Sequence, residues 1–248
     1  MWNDSQALRR VSNFLFGLAL GLALYGLVIT VVRPPAFPLQ EVRVEGQLAQ
    51  VTREQVEIIV QQELRGNFFT VDLERTRQAF EKLPWVRTVN VRRLWPSRLQ
   101  VTLEEHVALA RWGTLALVNT YGELFDAAFD HKLPVFAGPA GTSREVTGHY
   151  AAFGRTLAPL KQAVAQVSLS PRRAWQIRLE SGMVIELGRS QMQQRLERFV
   201  ALYGRSVGRL GRRIDYVDLR YPDGFAVRVP GVDLQKLDRA RPAEHKAA

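Results

Sequence analysis

The sequence has no cysteine and only four histidines among its 248 residues. The absence of cysteine excludes disulfide bonds, thiolate metal sites and cysteine nucleophiles together. The histidines show no metal-ligand spacing with one another or with nearby acids, so each is interpreted as a surface or loop residue. They are His106, His131, His149 and His245.

Motifs for catalysis are missing as well. The sequence has no glycine-rich phosphate loop before a Lys-Ser or Lys-Thr pair, no serine with a lysine three residues later, and no Gly-x-Ser-x-Gly. Glu104 and Glu105 are adjacent, so on a strand they would face opposite sides and could not act as a carboxylate pair. The sequence therefore predicts a protein that is not an enzyme and that needs no cofactor.

One long segment, residues 11–32, contains no charged side chain. A helix of this length reaches roughly 33 Å, enough to cross a hydrocarbon core of about 30 Å. A cleaved signal peptide would have a shorter apolar region of about 7–15 residues that ends in a small-x-small site, so we predict an uncleaved transmembrane helix. Gly17 and Gly21 form a G-x-x-x-G that would let a second helix approach closely.

Charge near this segment predicts its orientation. Residues 1–10 are the only short loop and carry Arg9 and Arg10 against Asp4. Arginine in short loops favours the cytoplasmic side, so we predict a cytoplasmic tail and an extracytoplasmic remainder in a single-pass protein. Residues 33–38 contain three prolines and predict a short, stiff linker.

In a cytosolic protein, the net charge of +10 would indicate that the protein binds nucleic acid. Outside the cytoplasm it indicates an acidic protein partner or anionic lipid head groups, with a well-solvated basic surface as the alternative.

Residues 39–106 predict a small α+β domain in the order β-α-α-β-β. An alternating strand at 41–45 is followed by helices that begin after Thr52, with Gln55 completing a capping box, and after Asp72. Strands at 86–93 and 98–104 are joined by a short turn. On the first of these, Thr88, Asn90 and Arg92 would point away from the core, free to meet a partner.

Residues 107–230 predict a mainly antiparallel β domain with two helices. Apolar residues from Val146 to Val164 recur every three or four positions and predict one helix. Two strands on either side of a turn at residues 180–182 are predicted to form a hairpin. The second helix would begin with a capping box formed by Ser190 and Gln193. Residues 231–248 are polar and predict a frayed tail.

The last predicted strands are residues 214–221 and 225–229. Asp223-Gly224 predicts a tight turn, so the second strand should pair back on the first. Nothing after Pro230 predicts another strand, so the outer edge of residues 225–229 would leave backbone N–H and C=O groups for a partner strand. The alternative is a lone edge protected by Arg228 and Pro230.

Three segments resemble the FtsQ/DivIB family of bacterial cell-division proteins. They are residues 83–96, with Leu83-Pro84-Trp85-Val86 and Leu94-Trp95-Pro96; residues 105–112; and residues 216–227, with Tyr216-Val217-Asp218-Leu219-Arg220-Tyr221. The resemblance implies an α+β protein with one transmembrane helix, a POTRA domain and a β domain. It also implies an inner-membrane scaffold of the division septum whose periplasmic part binds FtsB and FtsL.

The resemblance and the open edge together predict two sets of contact residues. A recruitment surface on the POTRA domain would comprise Thr88, Val91 and Arg93. Main-chain pairing would be assisted by aromatic and arginine side chains, with Arg172 as a weaker second contact to an acidic partner. The remaining FtsB-binding residues would be Tyr216, Arg220, Tyr221, Asp223, Gly224, Phe225, Ala226, Val227, Arg228 and Val229.

Two other classes of protein compete with a division scaffold. A POTRA-bearing envelope transport or chaperone component would predict repeated POTRA units or an outer-membrane barrel, and the sequence has neither. An envelope hydrolase would need a nucleophile or metal motif, which is also missing.

Overall fold

The computed structural model describes residues 5–32, 38–205, 208, 212–222 and 224–230. The chain divides into two compact units, Met1–His106 and Val107–Ala248. The predicted tail at 231–248 lies outside the described residues, as does all of the predicted linker except Pro38.

The first helix, α1, covers Ser5–Val32. Its segment Leu8–Thr30 is long and apolar enough to cross a membrane. None of this segment is buried, unlike the core helix of a soluble protein. No atom lies within 4 Å of where a Cβ would stand on Gly17 or Gly21, so both leave open space on the helix surface.

The rest of the first unit has the predicted β-α-α-β-β order. Its three strands form a sheet in the order β1-β3-β2, in which β1 is parallel to β3 and β2 is antiparallel to it. The elements are β1 Glu41–Glu45, α2 Arg53–Glu63, α3 Leu73–Glu81, β2 Val86–Leu94 and β3 Arg98–Glu105.

Local contacts explain where these helices begin. The Thr52 hydroxyl accepts the Gln55 backbone N–H at 3.3 Å while the Gln55 side chain accepts the Thr52 N–H at 3.0 Å, which confirms the capping box. Asp72 caps α3 by accepting the Arg75 N–H at 3.0 Å, as predicted. The Glu105 carboxylate accepts the Val51 N–H at 2.6 Å and so ties the end of β3 to the start of α2.

The second unit is built on one long mixed sheet with two helices. Among the described residues its strand order is β12-β11-β10-β9-β8-β7-β4-β5-β6, with mostly antiparallel pairs. The strands are β4 Ala108–Trp112, β5 Ala116–Asn119, β6 Leu124–Phe125, β7 Val135–Ala137, β8 Val164–Leu169, β9 Trp175–Leu179, β10 Val184–Gly188, β11 Tyr216–Asp218 and β12 Ala226–Arg228. The helices are α4 Ser143–Leu157 and α5 Met192–Tyr203.

Both helices pack on the sheet through fully buried aromatic and aliphatic side chains. Phe153 of α4 and Phe199 of α5 join Phe136 of β7 in one core. The predicted hairpin is present, since Ile177 pairs with Ile185 across β9 and β10. The α+β class predicted from the sequence is confirmed.

Two predictions about the helices of this unit are wrong. Helix α4 ends at Leu157, whereas the spacing predicted a helix up to Val164. The chain leaves the helix because Pro159 lies in a single 3-10 turn and Lys161 has a left-handed backbone conformation, with φ of 53°. Val164 instead begins β8, a strand that its helix-like spacing concealed.

The predicted capping box at the start of α5 is also wrong. Gln191 precedes the helix in a left-handed conformation, and no side chain caps the first turn. Gln193 instead donates to the Thr156 hydroxyl at 2.6 Å, which links α5 to α4.

Candidate docking edge

Strand β12 lies at one end of the nine-stranded sheet, with β11 as its neighbour. The two are antiparallel, and Val217 pairs with Val227, so the predicted strand pairing is confirmed. The connection is longer than the predicted tight turn, because Asp218 pairs with Ala226 and seven residues separate them. Asp223 lies outside the described residues, and the adjacent Gly224 is half-buried.

The bonds between β10 and β11 show which backbone groups of β11 face inward. Val184 N–H donates to the Asp215 carbonyl at 2.9 Å, and Leu219 N–H donates to the Glu186 carbonyl at 2.9 Å. Backbone groups alternate in direction along a strand, so the odd-numbered residues of β11 face β10. Its even-numbered residues therefore face β12.

This alternation also orients β12. The even-numbered residues of β11 pair with Ala226 and Arg228, so the backbone groups of these two point back into the sheet. The Arg228 carbonyl does point in that direction, because it accepts the N–H of Asp215, the residue before β11, at 3.2 Å. Val227 between them consequently directs its N–H and C=O outward, where a partner strand could bind them.

The side chains of this edge form a partly covered apolar row. Phe225, Val227 and Val229 are half-buried and pack against the core of the second unit. The Phe225 ring meets the Phe199 ring edge-on, with centroids 5.3 Å apart. The surface of this row that stays exposed lies beside the open backbone of β12.

The two tyrosines predicted as anchors differ in exposure. The Arg228 guanidinium lies 5.3 Å from the centroid of the Tyr216 ring, a cation–π contact that partly covers the ring. Partial burial, followed by the charge of Glu186, raises the pKa of Tyr216. Tyr221 is 55 % exposed and offers the larger aromatic surface.

A basic pocket lies where strands β8, β10 and β11 end and β9 begins. We call this cavity of about 480 Å³ the arginine pocket. The predicted contacts Arg172 and Arg220 both line it, although they are far apart in the sequence. The other lining residues are Ser170, Ala174, Gly188, Arg189, Ser190 and Arg195.

Asp218 holds Arg220 in place at this pocket. The Arg220 Nη2 donates to the buried Asp218 carboxylate at 2.6 Å, and the Arg220 backbone N–H donates to it at 3.0 Å. The side-chain bond is the main cause that lowers the pKa of Asp218 and raises that of Arg220. Arg195 donates to the Leu187 carbonyl at 3.1 Å. Since Asp218 pairs with Arg220, the net positive charge of the pocket comes from Arg172, Arg189 and Arg195, and this charge suits a carboxylate.

The predictions for the site did not include Asp218, Arg189 or Arg195. Asp218 and Arg220 are two residues apart, a spacing that places side chains on one face of an extended segment and could have indicated the pair. Arg189 follows a clear strand but carries no local signal, because the pocket forms only when four strand ends meet.

The predicted recruitment residues lie on strand β2, at an edge of the three-stranded sheet. Thr88 is exposed, but its hydroxyl donates to Glu104 at 2.9 Å, so this side chain is paired rather than free. Val91 is half-buried against the core on the opposite face, as the alternation predicts. Arg93 donates to the carbonyls of Phe68 and Val71 at 2.8 and 2.7 Å, which gives it a structural role.

In the described part of the chain, an apolar N-terminal helix, a β-α-α-β-β domain and a long mixed sheet that ends at β12 define the class of this chain, a POTRA-bearing protein with a membrane-type N-terminal helix. The FtsQ-type POTRA domain model matches residues 37–106, and the model described as cell division protein FtsQ/DivIB, C-terminal, matches residues 110–220.

Individual relatives agree with these models. Cell division protein FtsQ of Nitrosospira multiformis is 49% identical over 233 residues, covering 92% of this chain and 99% of that protein. The FtsQ of Burkholderia pseudomallei is 41% identical over 239 residues, covering 94% and 96%. The chain belongs to the FtsQ/DivIB family of cell-division proteins.

Proposed function

We propose that this chain is a non-catalytic scaffold of the division machinery, which captures FtsB, and with it FtsL, on the edge of strand β12. The observation that carries this proposal is the outward direction of the Val227 N–H and C=O, which follows from the ladder of β10 and β11. A strand of FtsB would add to the sheet there, and its main chain would supply affinity that is independent of sequence.

Side chains would supply the specificity that the backbone lacks. Apolar residues at alternate positions of the FtsB strand would cover the exposed flank of Phe225, Val227 and Val229. Tyr221 would act as an aromatic anchor, and an acidic residue of FtsB would enter the arginine pocket beside Arg172 and Arg220.

The same proposal assigns a task to the other parts of the chain. Helix α1 anchors the protein in the inner membrane, with residues 1–10 in the cytoplasm and the domains at 39–106 and 107–230 in the periplasm. The POTRA domain recruits the chain to the septum through Thr88, Val91 and Arg93. Gly17 and Gly21 provide a surface for contact with another transmembrane helix.

A matched pair of tyrosines tests the docking edge. Tyr221 and Tyr121 are 55 % and 57 % exposed, so replacing either with alanine should cost similar folding stability. We expect Tyr221→Ala to weaken binding of the full chain to an FtsB–FtsL complex at least about tenfold, because aromatic anchors dominate such interfaces. Tyr121→Ala should bind like the parent in the same titration, with circular dichroism as the check on folding. Equal effects of the two changes would contradict docking at β12.

A further inference from the structure

The start of strand β1 and the tip of the β2–β3 hairpin lie side by side. Because β1 and β3 are parallel, Glu41 at the start of one pairs with Arg98 at the start of the other. The Gln40 N–H also donates to the Ser97 carbonyl at 3.0 Å. The hairpin tip that carries Trp95 is therefore at the end of the domain where the chain enters β1.

A second loop is held at the same end. Arg93, which precedes the hairpin tip, donates to the carbonyls of Phe68 and Val71 in the connection between α2 and α3. We call the surface formed by Gln40, residues 65–71 and residues 95–98 the tethered pole. The opposite end of the domain carries the loop after β1, with the exposed Gln47.

The tethered pole is close to helix α1 along the chain. Gln40 is eight residues beyond Val32, the last residue of α1. Even a fully extended chain of that length spans no more than about 29 Å, since each residue contributes at most about 3.6 Å. When α1 crosses a membrane, this end of the domain is held near the bilayer surface on whichever side the domain lies.

The composition of the tethered pole fits the interface between lipid and water. The exposed large apolar side chains among residues 38–106 are Ile58, Phe69 and Trp95, and two of these three are on the pole. Trp95 is 79 % exposed. Arg65 and Arg98 are also exposed there, and neither forms an ion pair within the described part of the chain.

We propose that the tethered pole rests on the membrane surface, with Trp95 and Phe69 at the level of the head groups and Arg65 and Arg98 on the phosphates of anionic phospholipids. Tryptophan is enriched at membrane interfaces because its ring is apolar and its N–H is polar. Arginine near an anionic bilayer is attracted to the surface charge. The bilayer is favoured over a protein partner because the short connection from α1 keeps it within reach of this pole.

The absence of cysteine makes a direct test of depth possible. One variant carries Ser97→Cys on the tethered pole, and the control carries Gln47→Cys at the opposite end of the domain. Each variant is labelled with a fluorophore at its single cysteine. The full chain is reconstituted into vesicles of equal parts phosphatidylglycerol and phosphatidylcholine that contain phosphatidylcholine spin-labelled on its head group. We expect the label at position 97 to be quenched several-fold more strongly than the label at position 47.

Two further measurements address the residues and the lipid. Trp95→Gln with Arg98→Gln, in the chain labelled at position 97, should reduce quenching to the level seen at position 47, with unchanged circular dichroism. The unaltered pole should also be quenched less in vesicles of phosphatidylcholine alone. Equal quenching at the two positions would overturn the proposal. A division defect of the double variant with unchanged quenching would indicate a protein partner and would also overturn it.

Discussion

Two neighbouring residues of β12, Ala226 and Val227, have backbone N–H groups that point in opposite directions. Of the backbone hydrogen-bond donors, proline at Val227 removes only the outward one and is tolerated on an edge strand, although it also trims a half-buried side chain, whereas proline at Ala226 removes a bond to β11. We expect Val227→Pro to remain folded and to bind FtsB at least about tenfold more weakly. Ala226→Pro should lose roughly 1–3 kcal/mol of hairpin stability. Binding titration and amide hydrogen exchange in β11 distinguish the two.

Because the Ala226 N–H points into the sheet, Ala226→Pro would disturb the fold and could not test docking alone. A folded Val227→Pro protein that bound FtsB like the parent would mean that the partner does not pair with the backbone of this edge.

Asp218 makes a prediction about pH at the same scale. Its pKa is held below the ordinary value of 3.8, mainly by the bond from Arg220. Because this pKa is lower in the folded than in the unfolded state, the stabilisation is complete above pH 3.8 and is lost as the pH falls below it. We expect Asp218→Asn to lower the free energy of unfolding by about 1 kcal/mol near neutral pH, since Arg220 is largely exposed. Denaturant titrations should show the difference shrinking in acid, and a constant difference would contradict the role of this carboxylate.

At the scale of the elements, the arginine pocket exists because the ends of four strands meet. We expect charge reversal by Arg172→Glu with Arg189→Glu to weaken FtsB binding and to make the remaining binding less sensitive to salt, because an attraction becomes a repulsion. Arg155→Glu, an exposed change on α4 outside the pocket lining, is the control. Titration at low and high salt gives the comparison. If Arg155→Glu weakened binding as much as the pocket variant, general surface charge rather than the pocket would be responsible.

The POTRA domain is the second element to which we assign a task of its own, namely recruitment to the septum. Each of the two units has its own hydrophobic core, so removal of residues 39–106 should leave the second one folded. We expect this deletion to abolish localisation at the septum, as observed with a fluorescent fusion, while the remaining domain still binds FtsB. Normal septal localisation of the deletion would exclude recruitment through this domain.

Point substitutions on β2 test recruitment less cleanly than the deletion. Arg93 fastens the connection between α2 and α3, so replacing it would disturb the fold together with any partner contact. Thr88 is the better choice, because its side chain is exposed and its one bond, to Glu104, is on the surface.

The whole molecule is an apolar helix of membrane-spanning length followed by a POTRA domain and an FtsQ/DivIB C-terminal domain, and this order predicts a topology. We expect a reporter that is active only in the periplasm to function at the C-terminus and to fail at the N-terminus, because Arg9 and Arg10 favour a cytoplasmic tail. The mature N-terminus should also precede residue 11, because we expect the span to be retained rather than cleaved as a signal peptide. A mature protein that starts after Val32, or a C-terminal reporter active only in the cytoplasm, would contradict this topology.

Features of this chain that depend on neighbouring residues could be predicted from the sequence. The length of α1 follows from a long uncharged segment. The starts of α2 and α3 follow from Thr52 and Asp72, whose side chains each accept the backbone N–H of the residue three positions later. The edge position of β12 followed from the sequence after Pro230, which predicts no further strand. In each case the stabilising interaction is local, or the pattern repeats with the period of the element.

Features that depend on register were decided only by the tertiary structure. Val164 continues the helical spacing of α4, but pairing of β8 between β7 and β9 makes it a strand residue, and a register shift after Val164 interrupts the strand alternation. Arg172 and Arg189 come together only because strand ends meet at one place in the sheet. The outward direction of the Val227 N–H and C=O depends on the hydrogen bonds between β10 and β11. Those bonds determine which residues of β11 face β12, and the register then determines which residues of β12 face outward. The residue types of β12 do not indicate this direction.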